Sequence, residues 1–162
     1  MSRRWGGLLP GLALAILTIG LDQAAKWWVL SLATQPRQAV ELTGWLNLVL
    51  TWNHGVSFGL FAQGHPATPF ILVGVALAVV AVLGRWLAQT ESWLVTAALG
   101  LIIGGALGNV ADRLVYGAVV DFIDFHLGDW HFPWAFNVAD SAITVGVGLL
   151  IIDGLFGRAE MS

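Results

Sequence analysis

Apolar residues run almost unbroken through four stretches of the chain, and polar positions gather where those stretches end. A bilayer core about 30 Å thick asks for about 20 apolar residues per helix. The pattern therefore predicts membrane-spanning helices over residues 8–30, 67–87, 93–112 and 137–156. Between the first two, the period changes. In Leu46-Asn47-Leu48-Val49-Leu50-Thr51-Trp52-Asn53, positions 46, 48, 50 and 52 fall on one side and Asn47, Thr51 and Asn53 on the other, with Val49 out of step. That alternation predicts a half-buried strand, its apolar face resting on the membrane or the helices. Pro36 breaks the chain before it, His54 to Gly59 reads as a turn, and Gln63 to Pro66 closes the loop. Val119 to Phe125 is rich in Val, Ile and Phe and favours an extended backbone. Trp130, Phe132 and Trp134 suit the headgroup belt. The fold class predicted is an all-α membrane protein: four transmembrane helices with a small extracytoplasmic β-strand region and loop, in a single unit over residues 1–162.

Composition sharpens this reading. Of the 162 residues, 57% are hydrophobic and 10% charged, far from the roughly one quarter charged in soluble domains. A net charge of −3 leaves no basic face for phosphates, so nucleic acid is not an expected partner whereas membrane lipids are. Cysteine is absent, which removes disulfides, thiol nucleophiles and Cys metal sites together. Ser2-Arg3-Arg4 before an apolar run resembles a secretory leader, but no small-residue cleavage site follows and the apolar character continues to Leu30, so a retained helix is expected. Four spans put both termini on one side, together with Arg3, Arg4, Arg85 and Arg158. The positive-inside rule makes that side cytoplasmic, and the opposite loops then face outward.

The chemistry concentrates between Gly108 and Ser141. A carboxylate at mid-bilayer depth costs roughly 2.5–3.5 kcal/mol on insertion scales, so acids bordering apolar spans need a reason. Asn-Val-Ala-Asp occurs twice, at 109–112 and 137–140. Asn109, Asp112 and Arg113 lie at i, i+3 and i+4 and share a helix face. Asn137 is a good N-cap, with Asp140 at the third helical position near the positive end of the dipole. Asp22 and Lys26, at i and i+4, form either an interfacial ion pair with the lysine snorkelling to the headgroups or part of a site. In an extended segment Asp121 and Asp124 point to opposite faces, so one of them faces the site, and spacing does not say which. Two nearby carboxylates share a proton, so that one activates a water while the other protonates a leaving group. Peptide hydrolysis fits this arrangement, and so does a proton relay.

Asp22-Gln23, Asn53-His54-Gly55-Val56-Ser57-Phe58, Gly108-Asn109 with Asp112-Arg113, Val120-Asp121-Phe122 and Phe136-Asn137-Val138-Ala139-Asp140 together resemble the motif set of the bacterial lipoprotein signal peptidases, also called signal peptidase II. The likeness runs in order from the first helix to the fourth. It implies an aspartic endopeptidase of the bacterial cytoplasmic (inner) membrane, without cofactor or metal. Such an enzyme removes the signal peptide of prolipoproteins just before a cysteine that carries diacylglycerol, and is inhibited by the cyclic peptide globomycin. Position by position, the resemblance implies Asp121 and Asp140 as the catalytic pair. It implies Asp22, Asn53, Asn109, Arg113, Asn137 and Ala139 as residues that shape the site or hold substrate, and Asp112 as structural. Ala25 stands where relatives often carry a hydroxyl.

Three rival readings are weaker. Gly55-Val56-Ser57-Phe58-Gly59 fits G-x-S-x-G, which needs a strand–turn–helix elbow with acid and His partners such as His126 or His131. The histidines, His54 and His65 included, lack metalloprotease spacing. A proton-coupled transporter would place its acids near the midplane rather than at one rim.

Overall fold

The structure, a computed structural model, describes residues 7–32, 39–55, 66–128 and 130–156. Four helices carry the chain across the membrane: α1 (Leu8–Leu32), α2 (Thr68–Leu87), α3 (Trp93–Tyr116) and α4 (Val138–Phe156). All four are long and apolar enough to span it. Leu9, Ile16, Phe70, Val82 and Leu155 project outward with about 70% of their surface exposed. A sheath of that kind is stable against acyl chains and not against water. This is a multi-pass membrane protein.

The centre is α3. Thirteen of its 24 residues are buried, against three of 20 in α2, so the other helices are arranged around it. Lipid tails are as apolar as leucine, and helices associate there through close packing rather than through the hydrophobic effect. Glycines supply the closeness. A Cβ at Gly104 would sit 2.7 Å from the Ala15 carbonyl of α1, and one at Gly105 would sit 2.5 Å from the Ala139 carbonyl of α4. At one end α3 starts on Ser92, whose side chain accepts the Val95 N–H at 3.3 Å. At the other it stops at Gly117, a left-handed C-cap with φ of 73°. The expected end near residue 112 falls short by one turn. The polar residues Asn109, Asp112 and Arg113 mark a change of surroundings, not the end of the helix.

Beyond the helix ends lies an antiparallel sheet in the order β1 (Val40–Thr43), β2 (Leu46–Asn53), β3 (Val119–Leu127) and β4 (Trp130–His131). The expected strand at 46–53 and the extended segment from Val119 are both present; β1 and β4 are additions that short, irregular sequence did not announce. The β2–β3 register passes from Leu48↔Ile123 to Thr51↔Asp121, so β2 carries one extra residue between them. That bulge is the physical content of the out-of-step Val49. It reverses the side on which later β2 residues project, so that Asn47 reaches Asp124 at 3.0 Å while Asn53 reaches Asp121 at 3.0 Å. On its far edge β3 pairs with Phe136, through Ile123 N–H to the Phe136 carbonyl at 2.8 Å and the reciprocal bond at 3.0 Å. Residue 136 immediately precedes the cap of α4. This bridge brings the start of α4 against β3, and with it Asp140 toward Asp121.

Candidate active site

Asp140 sits in the first turn of α4, inside a reciprocal cap. The Asn137 Oδ1 accepts the Asp140 N–H at 2.9 Å, and the Asp140 Oδ2 accepts the Asn137 N–H at 3.3 Å. Its other oxygen takes a bond from Asn109 Nδ2 of α3 at 2.9 Å. Asp121, on β3, receives Asn53 Nδ2 at 3.0 Å and Asn137 Nδ2 at 2.7 Å. Three asparagines thus hold two carboxylates. Asn137 touches both, and its amide also meets Asn109 Oδ1 at 3.2 Å, so the two halves of the Asn-Val-Ala-Asp repeat are bonded to each other.

No cation contacts either acid among the described hydrogen bonds and ion pairs. Asp121 is 2% exposed. Burial first, and then the negative charge of Asp140, push its carboxyl up to about 7, against the bonds from Asn53 and Asn137 and the more distant charge of Lys26. The two acids open onto a cleft of about 1060 Å³. Its walls are largely apolar, with Phe125, Phe132, Trp134 and Phe136 among them, while Thr144 and Val145 extend it along α4. Phe132 and Trp134 meet edge to face at 5.8 Å, as do Phe132 and Phe136 at 6.3 Å. Part of the aromatic loop expected in the headgroup belt therefore builds the cleft.

Behind the acids, Asp22 and Lys26 are 0% and 2% exposed. The snorkelling pair considered from the sequence is overturned: the Lys26 ammonium is enclosed, 2.8 Å from Asp22 and 2.8 Å from Asp112. The third partner lies 86 positions along the chain from Lys26, beyond any local pattern. Ala139 is fully buried, its N–H donated to Asp22 Oδ1 at 2.9 Å. Gly108 leaves the room, since a Cβ there would lie 2.6 Å from Asp22 Oδ2. Arg113 donates to the Gly55 carbonyl at 3.0 Å and to the Asn109 carbonyl at 3.3 Å, which ties the residues after β2 to α3. Gln23, quoted in a motif but given no role, donates to Asp112 Oδ1 at 2.9 Å. Asp124 stays with Asn47. Ser57 and His65 lie outside the described residues. Among the described residues, no three His, Asp or Glu side chains converge as metal ligands would.

Four spans and a cleft lined by two carboxylates define a multi-pass membrane protein with a candidate site at the ends of its helices, and comparison with known proteins says of which kind. The family model described as "Signal peptidase (SPase) II" matches residues 14–156. A lipoprotein signal peptidase of Methylobacterium sp. (strain 4-46) is 47% identical over 154 residues, spanning 94% of this chain and 93% of that protein. One from Burkholderia cenocepacia (strain HI2424) is 48% identical over 154 residues, spanning 93% of this chain and 90% of its own. A solved structure described as a bacterial membrane enzyme superposes with a TM-score of 0.81 at 25% identity, covering 94% of this chain and 92% of that one. The chain belongs to the signal peptidase II family.

Proposed function

We propose that this protein is an intramembrane aspartic endopeptidase that removes signal peptides from diacylglyceryl-modified prolipoproteins, cleaving just before the lipidated cysteine. The observation that carries the reading is the pair Asp121 and Asp140, each oriented by asparagine amides, both lining one cleft and uncompensated by a contacting cation. With one proton between them, the ionised partner takes a proton from water as the water oxygen attacks the scissile carbonyl carbon. The protonated partner then gives its proton to the departing amine nitrogen as the C–N bond breaks. The pair ends the cycle with its single proton on the other acid. No cofactor takes part. An Asp121 carboxyl near pH 7 is matched to this exchange.

The aromatic and aliphatic walls suit a peptide that carries acyl chains, and the site's position at one rim suits a cleavage point at the membrane surface. With both termini cytoplasmic, that rim faces outward from the bacterial inner membrane; Arg85 at the opposite end, in the last turn of α2, agrees with the positive-inside rule. The whole chain, residues 1–162, acts as one peptidase domain.

Purified protein is incubated with a diacylglyceryl prolipoprotein and with the same precursor lacking the lipid, and the new termini are read by mass spectrometry. Cleavage before the lipidated cysteine, abolished by globomycin and absent from the unlipidated precursor, is the expected result. Equal cutting of both precursors would overturn the substrate assignment. Inactivation by a chelator, reversed by zinc, would overturn the two-acid mechanism.

A further inference from the structure

The buried Lys26 has a geometry that an incidental ion pair would not need. An ammonium has three hydrogens, and Nζ has three acceptors: Asp22 Oδ2 at 2.8 Å, Asp112 Oδ2 at 2.8 Å and Asn109 Oδ1 at 3.1 Å. Each acceptor passes the connection on. Asp22 accepts the backbone N–H of Ala139 at 2.9 Å, and Ala139 is the residue just before Asp140. Asp112 accepts the backbone N–H of Val120 at 3.0 Å, and Val120 is the residue just before Asp121. Asn109, with its oxygen turned to the ammonium, has its nitrogen left for the Asp140 carboxylate at 2.9 Å.

We propose that Lys26 is a positioning residue for the reaction: a three-armed buried ammonium that fixes the separation of the backbones carrying Asp121 and Asp140 and the orientation of the amide that holds Asp140. This rests on the reading of those two acids as the catalytic pair. Lys26 does not line the cleft. Its loss therefore acts on the alignment of the acids and not on the surface that receives substrate. Arginine is a poor substitute, because a planar fork cannot direct three donors into a tripod and its volume exceeds a site that is 2% exposed.

The test uses the full-length protein with a diacylglyceryl lipopeptide, and reads kcat, KM and thermal unfolding together. Two variants are compared: Lys26→Arg, and the triple variant Lys26→Met with Asp22→Asn and Asp112→Asn. The triple variant removes the buried charges together and leaves amide oxygens to accept the Ala139 and Val120 N–H groups, so it folds even if unpaired acids would not. Expected in the folded fraction of each is a fall in kcat on the order of 100-fold, the effect of a small misalignment, with KM within about threefold of wild type. Wild-type kcat in either folded variant overturns the proposal. A loss that merely follows the unfolded fraction, recovered when the triple variant recovers its fold, overturns it as well. Asp121→Asn runs alongside: if that protein turns over normally, the pair itself is wrong, whereas an inactive Asp121→Asn beside a fully active Lys26→Arg removes only the role of Lys26.

Discussion

Four aspartates surround the start of α4, and they live in two different settings. Asp22 and Asp112 are closed off from solvent with an ammonium between them and backbone N–H groups on their remaining lone pairs. Asp121 and Asp140 are held by amides alone and, although Asp121 is itself buried, both line the wall of a cleft. An amide can aim a carboxylate, but it brings no full charge to hold it ionised. The first pair is thereby committed to the fold, whereas on the proposed reading the second is the one that exchanges a proton. One side-chain type does both tasks because its partners differ.

The sharpest way to break this comparison is to remove a proton carrier from the open pair. Asp121→Asn and Asp140→Asn are each expected to lower turnover by on the order of 10²–10⁴-fold, while Asp124→Asn, whose partner Asn47 lies on the other side of β3, stays near wild type. Cleavage assays on folded protein decide it. Normal turnover in Asp121→Asn would end the two-acid assignment.

Acting on the closed pair has the opposite signature. Asp112→Ala leaves the Val120 N–H and part of the Lys26 charge without partners, and breaking a buried ion pair from one side costs about 3–5 kcal/mol. The unfolding midpoint in detergent should drop steeply. An unchanged midpoint would show that the closed cluster does not hold the fold.

Acidity gives a further handle on the second pair. The Asp121 carboxyl is raised from 3.8 to about 7 in the folded protein, so the native state holds a proton that the unfolded chain releases near pH 4. Its contribution to stability is complete below pH 4 and is lost as pH climbs through 7. Turnover is expected to follow a bell, because the shared proton is absent at high pH and doubled at low pH. The alkaline limb falls by about tenfold per pH unit once a single proton is lost. In Asp121→Asn, unfolding should lose this pH dependence between 4 and 7; retention of the full slope would place the titrating group elsewhere.

The smallest effect is expected at Arg113, which ties Gly55 to Asn109. Lysine keeps the charge and can make one of the two bonds. Arg113→Lys should cut turnover about tenfold or less and shift unfolding by about 1 kcal/mol, the value of one hydrogen bond. A large drop in midpoint with normal cleavage at low temperature would make the residue purely architectural.

How far the chain could be read in advance follows from the range of the forces involved. Helix spans come from local apolar runs, and their predicted ends lie within a few residues of the observed ones except on α3, which continues past the polar Asp112 and Arg113 to Tyr116. The Asn137 cap was legible because capping is a three-residue event. Asp121 could not be separated from Asp124 by spacing, since the choice depends on a bulge in β2 and on the Phe136 bridge. Motif resemblance selected Asp121, and the register turns Asp121, not Asp124, toward Asn53, Asn137 and the cleft. The Asp22–Lys26 pair was visible as i, i+4, but its burial was not, because that depends on Asp112 arriving from α3.

The Lys26 cluster also bears on how α1 and α3 keep their register. Helix α1 carries Lys26 and Asp22 one turn apart, an ion pair within one segment. Helix α3 adds Asp112, which meets the same ammonium from a different helix. One register of α3 against α1 brings Asp112 to within 2.8 Å of Lys26. A slip by a turn in either direction would part them and leave a buried charge short of a partner. The cluster is thus an address as well as a brace: it marks the one alignment of the two helices in which three charges and an amide all find partners.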